Sequence, residues 1–519
     1  MKRRIFVTLG VALGIMSGLP LAGRAEAAGM SCDALKNASF KNTRIEMAQE
    51  VHPNPTWEFP KSIFDGLAKT DPTGTLDVKD TPFCRVVAVI EKEIKFELWL
   101  PDNWNGKYQQ VGNGAYTGDI NYPTMGGALA KGYAAASTDV GHDSMGNAFS
   151  TEWMVGHKQR VIDFGYRAHH LVSEIAKQMV AAYYSKKPAQ SYFVGCSSGG
   201  WQALTEIQKY PDDFDGVVAG APAHNFVRLN LRGTITAQMS LRDPAGNLSA
   251  AQTKMIAAAA LKRCDPEDGV TDGVISDPMR CDFDPRQLEC KAGESGDSCL
   301  TAAQVDRAKA LYGPIKSKGG IDLYPGPTVS AALAPSFPAK PDAPALAGPL
   351  GNALSAFGYT KKLTLATFDA DRDIPEMDKL MGPVMSSMNP DISKFIARGG
   401  KIVGWQGWGD PAISPYNTLH YYGMVQKKTG KKMDDFYRIF FVPGMGHCGA
   451  GATGANSFDM VAALENWVEK GVAPTRIESA RKVDGKVTMT RPLCMYPEVP
   501  KYTGSGSTDD AKNFKCVKP

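Results

Sequence analysis

The chain carries no C-x-x-C pair, although it has ten cysteines. That spacing marks zinc ribbons and thiol–disulfide oxidoreductases, and its absence excludes both as the organising chemistry. After the N-terminal stretch Ile5 to Ala22 there is no further long apolar run, so no later segment is apolar enough to span a bilayer. Net charge is also small. The formal value is +4, and the four basic residues and one acid within residues 1–27 supply most of it, leaving +1 beyond them. A chain so near neutrality lacks the basic footprint that nucleic acid requires. Lys427-Lys428 and Lys431-Lys432 read instead as a solvated face. No feature of the sequence specifies an oligomeric state.

What is present begins with an export signal. Lys2-Arg3-Arg4 precede the apolar stretch and Ala25-Glu26-Ala27 offers an A-x-A cleavage site, which sets residues 1–27 aside as a signal peptide. Arg3-Arg4-Ile5-Phe6 leaves both the general and the twin-arginine routes open. The expected location is secreted or periplasmic. All ten cysteines follow this segment, and an even number in an exported chain points to disulfides. Proximity favours Cys264–Cys281 and Cys290–Cys299.

Gly195-Cys196-Ser197-Ser198-Gly199 is a G-x-S-x-G signature between the β-like run Gln190 to Val194 and the helix-compatible stretch Trp201 to Lys209. Strand, glycine turn and helix present a serine hydroxyl above the sheet of an α/β-hydrolase, with the acid and then the histidine following in the chain. Only His224, His420 and His447 follow Ser197. His447 lies on a loop after the apolar run Phe436 to Val442, and Asp410 occupies the equivalent loop after Lys401 to Trp405. Taken singly, each is an ordinary turn residue. Together and in this order, they make Ser197 the expected nucleophile, His447 its base and Asp410 the carboxylate that orients the imidazole. If His447 reaches Ser197, the adjoining Cys196 and Cys448 come close enough to bridge. The Ser198 N–H is one expected oxyanion donor, and Gly114 in Val111-Gly112-Asn113-Gly114-Ala115-Tyr116 is the candidate for the second.

Around these motifs the pattern alternates. Val86 to Leu100 reads as two strands, Lys107 to Gly112 and Gly132 to Thr138 as two more, and Val161 to Tyr184 as one long amphipathic helix. Phe214 to Gly220 is a strand and Met460 to Lys470 a terminal helix. Such alternation predicts an α/β fold with a mainly parallel sheet covered by helices on both faces. From Gly220 to Lys401 the alternation stops, over a stretch too long for an ordinary connection. We therefore expect residues 28–220 and 401–519 to form an α/β-hydrolase catalytic domain. Residues 221–400 would form a large inserted lid domain, placed where active-site loops collect. Within it, Asp265, Asp268 and Asp272 alternate with glycine turns in Cys264-Asp265-Pro266-Glu267-Asp268-Gly269-Val270-Thr271-Asp272-Gly273-Val274. This loop reads either as a solvated Asp-Gly turn or as a calcium loop that is not an EF-hand.

The chain resembles the tannase and feruloyl esterase family, which also includes mono(2-hydroxyethyl) terephthalate hydrolases. The resemblance is carried by Gly195 to Gly200, by Gly404-Trp405-Gln406-Gly407-Trp408-Gly409-Asp410, and by Pro443-Gly444-Met445-Gly446-His447-Cys448. Asn389 to Phe395 and Gly399-Gly400-Lys401 add to it. It implies a serine esterase acting on small aromatic carboxylic esters through an acyl-enzyme, with Cys196–Cys448 bridged and Cys32–Cys84 and Cys494–Cys516 as further pairs. It also implies a structural Ca2+ held by the Asp265, Asp268 and Asp272 side chains and the Val270 and Val274 carbonyls. The family has a denser glycine run than this chain has around Gly114.

For the acyl ring, Tyr116, Phe226, Trp408 and Tyr416 are the aromatic candidates. A terephthalate monoester would add a carboxylate, whose natural partner is a lid arginine in that branch of the family. Residues 308–371 hold no arginine, leaving Lys361, Lys362 or Arg372 to supply the charge. Feruloyl or galloyl esters therefore rank above terephthalate monoesters. A non-catalytic binding protein on a hydrolase fold is the alternative from another class.

Overall fold

The computed structural model describes residues 29–52 and 81–519. The signal peptide expected over residues 1–27 lies outside them. A nine-stranded sheet organises the chain. Its strands are β1 (Thr43–Val51), β2 (Phe83–Ile90), β3 (Ile94–Pro101), β4 (Lys107–Val111), β5 (Ala134–Thr138), β6 (Gln190–Cys196), β7 (Gly216–Gly220), β8 (Lys401–Gly407) and β9 (Tyr437–Val442). They lie in the order β1-β2-β3-β5-β4-β6-β7-β8-β9. The pairs β1/β2, β2/β3 and β3/β5 are antiparallel, and every pairing from β5/β4 to β8/β9 is parallel. This is the mainly parallel α/β-hydrolase sheet that the alternating pattern predicts.

The central strands are buried on both faces, as parallel strands under helices must be. Every residue of β7 is buried, as are Ile402 to Gly407 of β8. One face packs against the helices Ala168–Tyr184 and Ser198–Lys209, with Phe164, Val172, Phe193, Trp201 and Leu204 in a shared cluster. The other packs against Tyr122–Ala130 and Met460–Lys470, through Met125, Val194, Trp405 and Leu464. The predicted helix from Val161 to Tyr184 is interrupted. A five-residue π-turn at Asp163–Arg167 separates Lys158–Ile162 from Ala168–Tyr184. Arg167 there donates to Asp163 at 2.8 Å and pairs with Glu91.

Between β7 and β8 run the helices Phe226–Arg242, Ala250–Cys264, Ala302–Tyr312, Pro349–Ala356 and Ala370–Met385. Capping boxes at Ser249/Gln252 and Thr301/Gln304 start two of them. The first helix of this stretch joins the main core, since Phe226, Val227, Leu231 and Ile235 pack in the same cluster as Phe193 and Trp201. A separate small core forms only further along, from Leu248, Ile256, Phe283, Leu300 and Val305.

Candidate active site

Ser197 stands at the turn between β6 and the helix Ser198–Lys209, with φ 62° and ψ −118°. Few serines occupy this region, and the surrounding packing enforces it. A Cβ on Gly195 would fall 2.5 Å from the Gly199 carbonyl carbon, and one on Gly200 would fall 2.1 Å from Gly220 O. The turn therefore admits only glycine at positions 195 and 200. Ser197 N–H donates to Gly220 O at 2.9 Å, tying the turn to β7.

His447 follows β9, and its Nε2 lies 2.9 Å from Ser197 Oγ. Its Nδ1 lies 2.7 Å from Asp410 Oδ2. Asp410 is fully buried, on the loop that follows β8. Its other oxygen accepts the Ala412 and Ile413 N–H groups, each at 2.9 Å. Those two bonds fix the carboxylate in place, with Oδ2 aimed at the imidazole. The His447 side chain is 26% exposed. All three residues singled out from the sequence thus come together, each on its own loop.

Cys196 and Cys448 are bridged, with Cα atoms 6.1 Å apart. The other four expected pairs, Cys32–Cys84, Cys264–Cys281, Cys290–Cys299 and Cys494–Cys516, are also bridged, and no described cysteine is free. Gly114 sits in the loop after β4, beside the first turn of the nucleophile helix, where Ser198 Oγ donates to Ala115 O at 2.5 Å. Neither the Ser198 nor the Gly114 N–H meets a protein acceptor among the described residues.

A serine, histidine and aspartate in this relay, above a parallel sheet, are the parts of acyl transfer. A family model described as tannase and feruloyl esterase matches residues 78–517. The chain belongs to the tannase and feruloyl esterase family. It is similar to an uncharacterized esterase of Xanthomonas campestris, 35% identical over 545 residues that cover 94% of this chain and 92% of that one. Feruloyl esterase C of Talaromyces stipitatus is 30% identical, over 93% of this chain and 96% of that one. The crystal structure of feruloyl esterase B from Aspergillus oryzae superposes with a TM-score of 0.78 at 28% identity, covering 94% of this chain and 99% of that one. As a member of this family the chain is a carboxylic ester hydrolase.

The aromatic candidates divide. Tyr116 and Phe226 meet edge to face at 6.4 Å, and Tyr116 Oη donates to Asn230 at 3.0 Å, so this pair joins the loop of Gly114 to the first inserted helix. Trp408 does not join them. Its ring stacks on Phe441 at 3.9 Å and lines a separate cavity of about 480 Å³ with Tyr496, Asp277 and Arg280. Its place directly after the last residue of β8 is the reason, since the ring turns onto Phe441 of the neighbouring β9. Tyr416 is half-buried at the start of the helix Pro415–Thr429, and burial raises its pKa, with Asp277 adding to the rise. Of the cations considered for a substrate carboxylate, Lys361 pairs with Glu376 and Arg372 pairs with Asp373 at 2.7 Å. Lys362 is exposed.

The Asp265 loop is held largely by its own backbone. Asp265 accepts the Asp272, Gly273 and Val274 N–H groups at 3.1, 2.9 and 3.3 Å. Asp268 accepts Val270 N–H at 2.9 Å and Ser276 Oγ at 2.6 Å. Asp272 Oδ2 accepts from Arg491 at 2.6 Å, while its Oδ1 is buried without a partner. Burial raises the Asp268 pKa, and the charges of Asp272 and Asp265 add to the rise. An orphaned carboxylate oxygen among like charges is the condition that a bound cation relieves, so Asp272 offers a divalent ion one free oxygen. The three carboxylates do not themselves converge on one point. Among the described residues, the group whose ligand atoms lie within 4.8 Å of one another is Cys264, Glu267 and Asp282, and Cys264 is spent in its disulfide.

Sequence reasoning passed over the residues behind the acid. Gln406 Nε2 donates to Ile413 O at 2.6 Å and lies 3.4 Å from Asp410 Oδ2, while Gln406 Oε1 accepts from Thr418 Oγ1 at 2.5 Å. The signal for Gln406 was a polar side chain inside the otherwise buried run of β8.

Proposed function

We propose that this chain is an exported serine esterase that hydrolyses small aromatic carboxylic esters of the feruloyl or galloyl kind through an acyl-enzyme. The observation that carries the mechanism is the relay from Ser197 Oγ to His447 Nε2 at 2.9 Å and from His447 Nδ1 to Asp410 at 2.7 Å. His447 takes the Ser197 proton as Oγ attacks the ester carbonyl, then gives it to the departing alcohol. Asp410 stabilises the imidazolium between these steps. The Ser198 and Gly114 N–H groups receive the oxyanion. Water, activated by the same histidine, then releases the acid.

The names of the relatives support the aromatic acyl group, and Tyr116 and Phe226 beside the Gly114 loop offer it an apolar wall. The pairing of Lys361 and Arg372 with neighbouring acids supports neutral esters over terephthalate monoesters. Ten cysteines in bridges, with no described helix long and apolar enough to cross a membrane, accord with export to an oxidising compartment. The segment 221–400 acts as the lid, and Asp265, Asp268 and Asp272 with the Val270 and Val274 carbonyls hold a Ca2+ of structural purpose.

The test is kcat/KM on methyl ferulate, methyl gallate and mono(2-hydroxyethyl) terephthalate, with Ser197→Ala as the control. The phenolic esters should lead and the variant should be inactive. A clear preference for the terephthalate ester would overturn the substrate assignment, and turnover by Ser197→Ala would overturn the mechanism.

A further inference from the structure

Beneath the Gly114 loop lies a buried polar network that the relay does not use. Asn113, 2% exposed, is its centre. Asn113 Nδ2 donates to Asp119 O at 3.0 Å and to Thr138 O at 2.9 Å. With both amide hydrogens committed, Oδ1 is an acceptor, facing His169 Nε2 at 3.1 Å and Gln202 Nε2 at 3.4 Å. On the other side of the imidazole, Gln110 Oε1 accepts from Tyr108 Oη at 2.7 Å, so its amide nitrogen points to His169. That nitrogen donates to His169 O and lies 3.0 Å from Nδ1. The partners assign one tautomer: Nδ1 accepts, and Nε2–H donates to Asn113. Burial pushes the His169 pKa down to about 3, so the ring stays neutral at the pH of ester hydrolysis.

The network is tied to the nucleophile helix on both sides of Gly114. Asn113 N–H donates to Gln202 Oε1 at 2.9 Å, and Gln202 stands on that helix. Ala115 O accepts from Ser198 Oγ, also on the helix. Gly112 comes so near that a Cβ there would lie 2.6 Å from Gly199 Cα. The Gly114 N–H therefore lies between two anchored residues.

We infer that Asn113, His169 and Gln202 are positioning residues for ester hydrolysis, fixing the Asn113–Gly114 peptide so that its N–H faces the oxyanion formed on attack by Ser197. This rests on Gly114 being the second oxyanion donor. A donor fixed in advance of the reaction pays no reorganisation as charge develops. A network with every polar atom matched is rigid enough to supply that fixity.

The variants that test it are His169→Phe, which keeps a ring but loses both nitrogens, His169→Gln, which restores a donor, and Asn113→Asp, which replaces the donor facing two carbonyls with an acceptor. Losing an oxyanion donor outright costs about 10²–10³ in kcat. A donor left in place but misaligned should cost roughly 10–100-fold, with KM within about twofold. Affinity for an aryl trifluoromethyl ketone, which forms the oxyanion adduct, should fall with kcat/KM, and His169→Gln should recover part of both. A merely structural role would lower the melting temperature and the active fraction without this parallel loss. Folded His169→Phe and Asn113→Asp proteins with wild-type kcat and ketone affinity would overturn the inference. Gly114→Pro, which removes the amide hydrogen, separates the two readings. If it is folded and fully active, the Gly114 assignment fails; if it is inactive while His169→Phe is unimpaired, only the network fails.

Discussion

Replacing both Cys196 and Cys448 by alanine should damage stability and catalysis together, and the two effects have different sources. The bridge closes a loop with a sequence separation of 252 residues. In the chain-entropy model, a loop of that size restricts the unfolded chain by about 5.5 kcal/mol at 25 °C. The Cys264–Cys281 and Cys290–Cys299 bridges nested inside it shorten the path only slightly. That figure is an upper value, since denatured chains keep residual structure. The catalytic effect arises because the cysteines adjoin Ser197 and His447, whose reacting atoms are 2.9 Å apart. A displacement of about 1 Å between such groups costs on the order of 10²-fold in rate. Hydrolysis of p-nitrophenyl acetate should therefore show kcat reduced about 100-fold with KM little changed, and urea unfolding should show a lower midpoint. Non-reducing peptide mapping of the parent enzyme should recover the two cysteines in one linked peptide. Free thiols at both positions in active enzyme, or a double variant with parental kcat, would refute the reasoning.

Asp410→Asn should lower kcat by about 10³–10⁴-fold with the fold intact, because an amide nitrogen facing His447 Nδ1 favours the wrong tautomer; thermal melting beside kinetics checks this. Chelation should lower the melting temperature if the Asp265 loop holds calcium, and Asp268→Ala should do the same without chelator, with one calcium per chain found by elemental analysis of the parent. Glu206, buried on the nucleophile helix with Oε2 unpartnered, has its pKa raised well above 4.5 by burial and by the neighbouring Asp213. A raised folded-state value means that its contribution is present below the ordinary glutamate range and is lost as pH rises through the raised value. Glu206→Gln should flatten that decline in urea midpoints measured from pH 5 to 9; an unchanged slope would count against it.

The parts of this molecule written in local pattern were legible. Ser197, Asp410 and His447 each follow a short apolar run, and each run is a strand of the parallel sheet. Strand β1 is not legible in the sequence, because it is an edge strand in which only Ala48 of Thr-Arg-Ile-Glu-Met-Ala-Gln-Glu-Val is buried. The C-terminal hairpin Arg476–Val483 with Lys486–Cys494 was also missed, although its turn is Asp484-Gly485 with φ of 50° and 76°. An Asp-Gly pair between strands is a strong hairpin signal, so the turn itself carries the mark of the hairpin. Trp408 and the Asn113 network are of another kind. Which way a side chain leaves the end of a strand, and that Gln110, Asn113, His169 and Gln202 meet, depend on tertiary packing between segments far apart in the chain.

The staple also answers a problem set by the sheet itself. Ser197 follows β6 and His447 follows β9, and β7 and β8 lie between them. Three strand spacings put the ends of β6 and β9 about 14 Å apart. Asp410, after β8, is one strand from the histidine and needs only a short loop. His447 must instead fold back across the tops of β8 and β7. Its loop does so with left-handed backbone at Gly444, Cys448, Gly449 and Gly451, at φ 66°, 49°, 96° and 61°. Cys448 is the one residue among these that is not glycine, and it is the one bonded to Cys196 beside the nucleophile. Backbone bonds support the turn locally: Gly446 N–H donates to Ala450 O, and Ala450 N–H to His447 O. They do not join the loop to β6. The disulfide does, which is why its removal should be felt in the alignment of Ser197 with His447 more than in the pairing of His447 with Asp410.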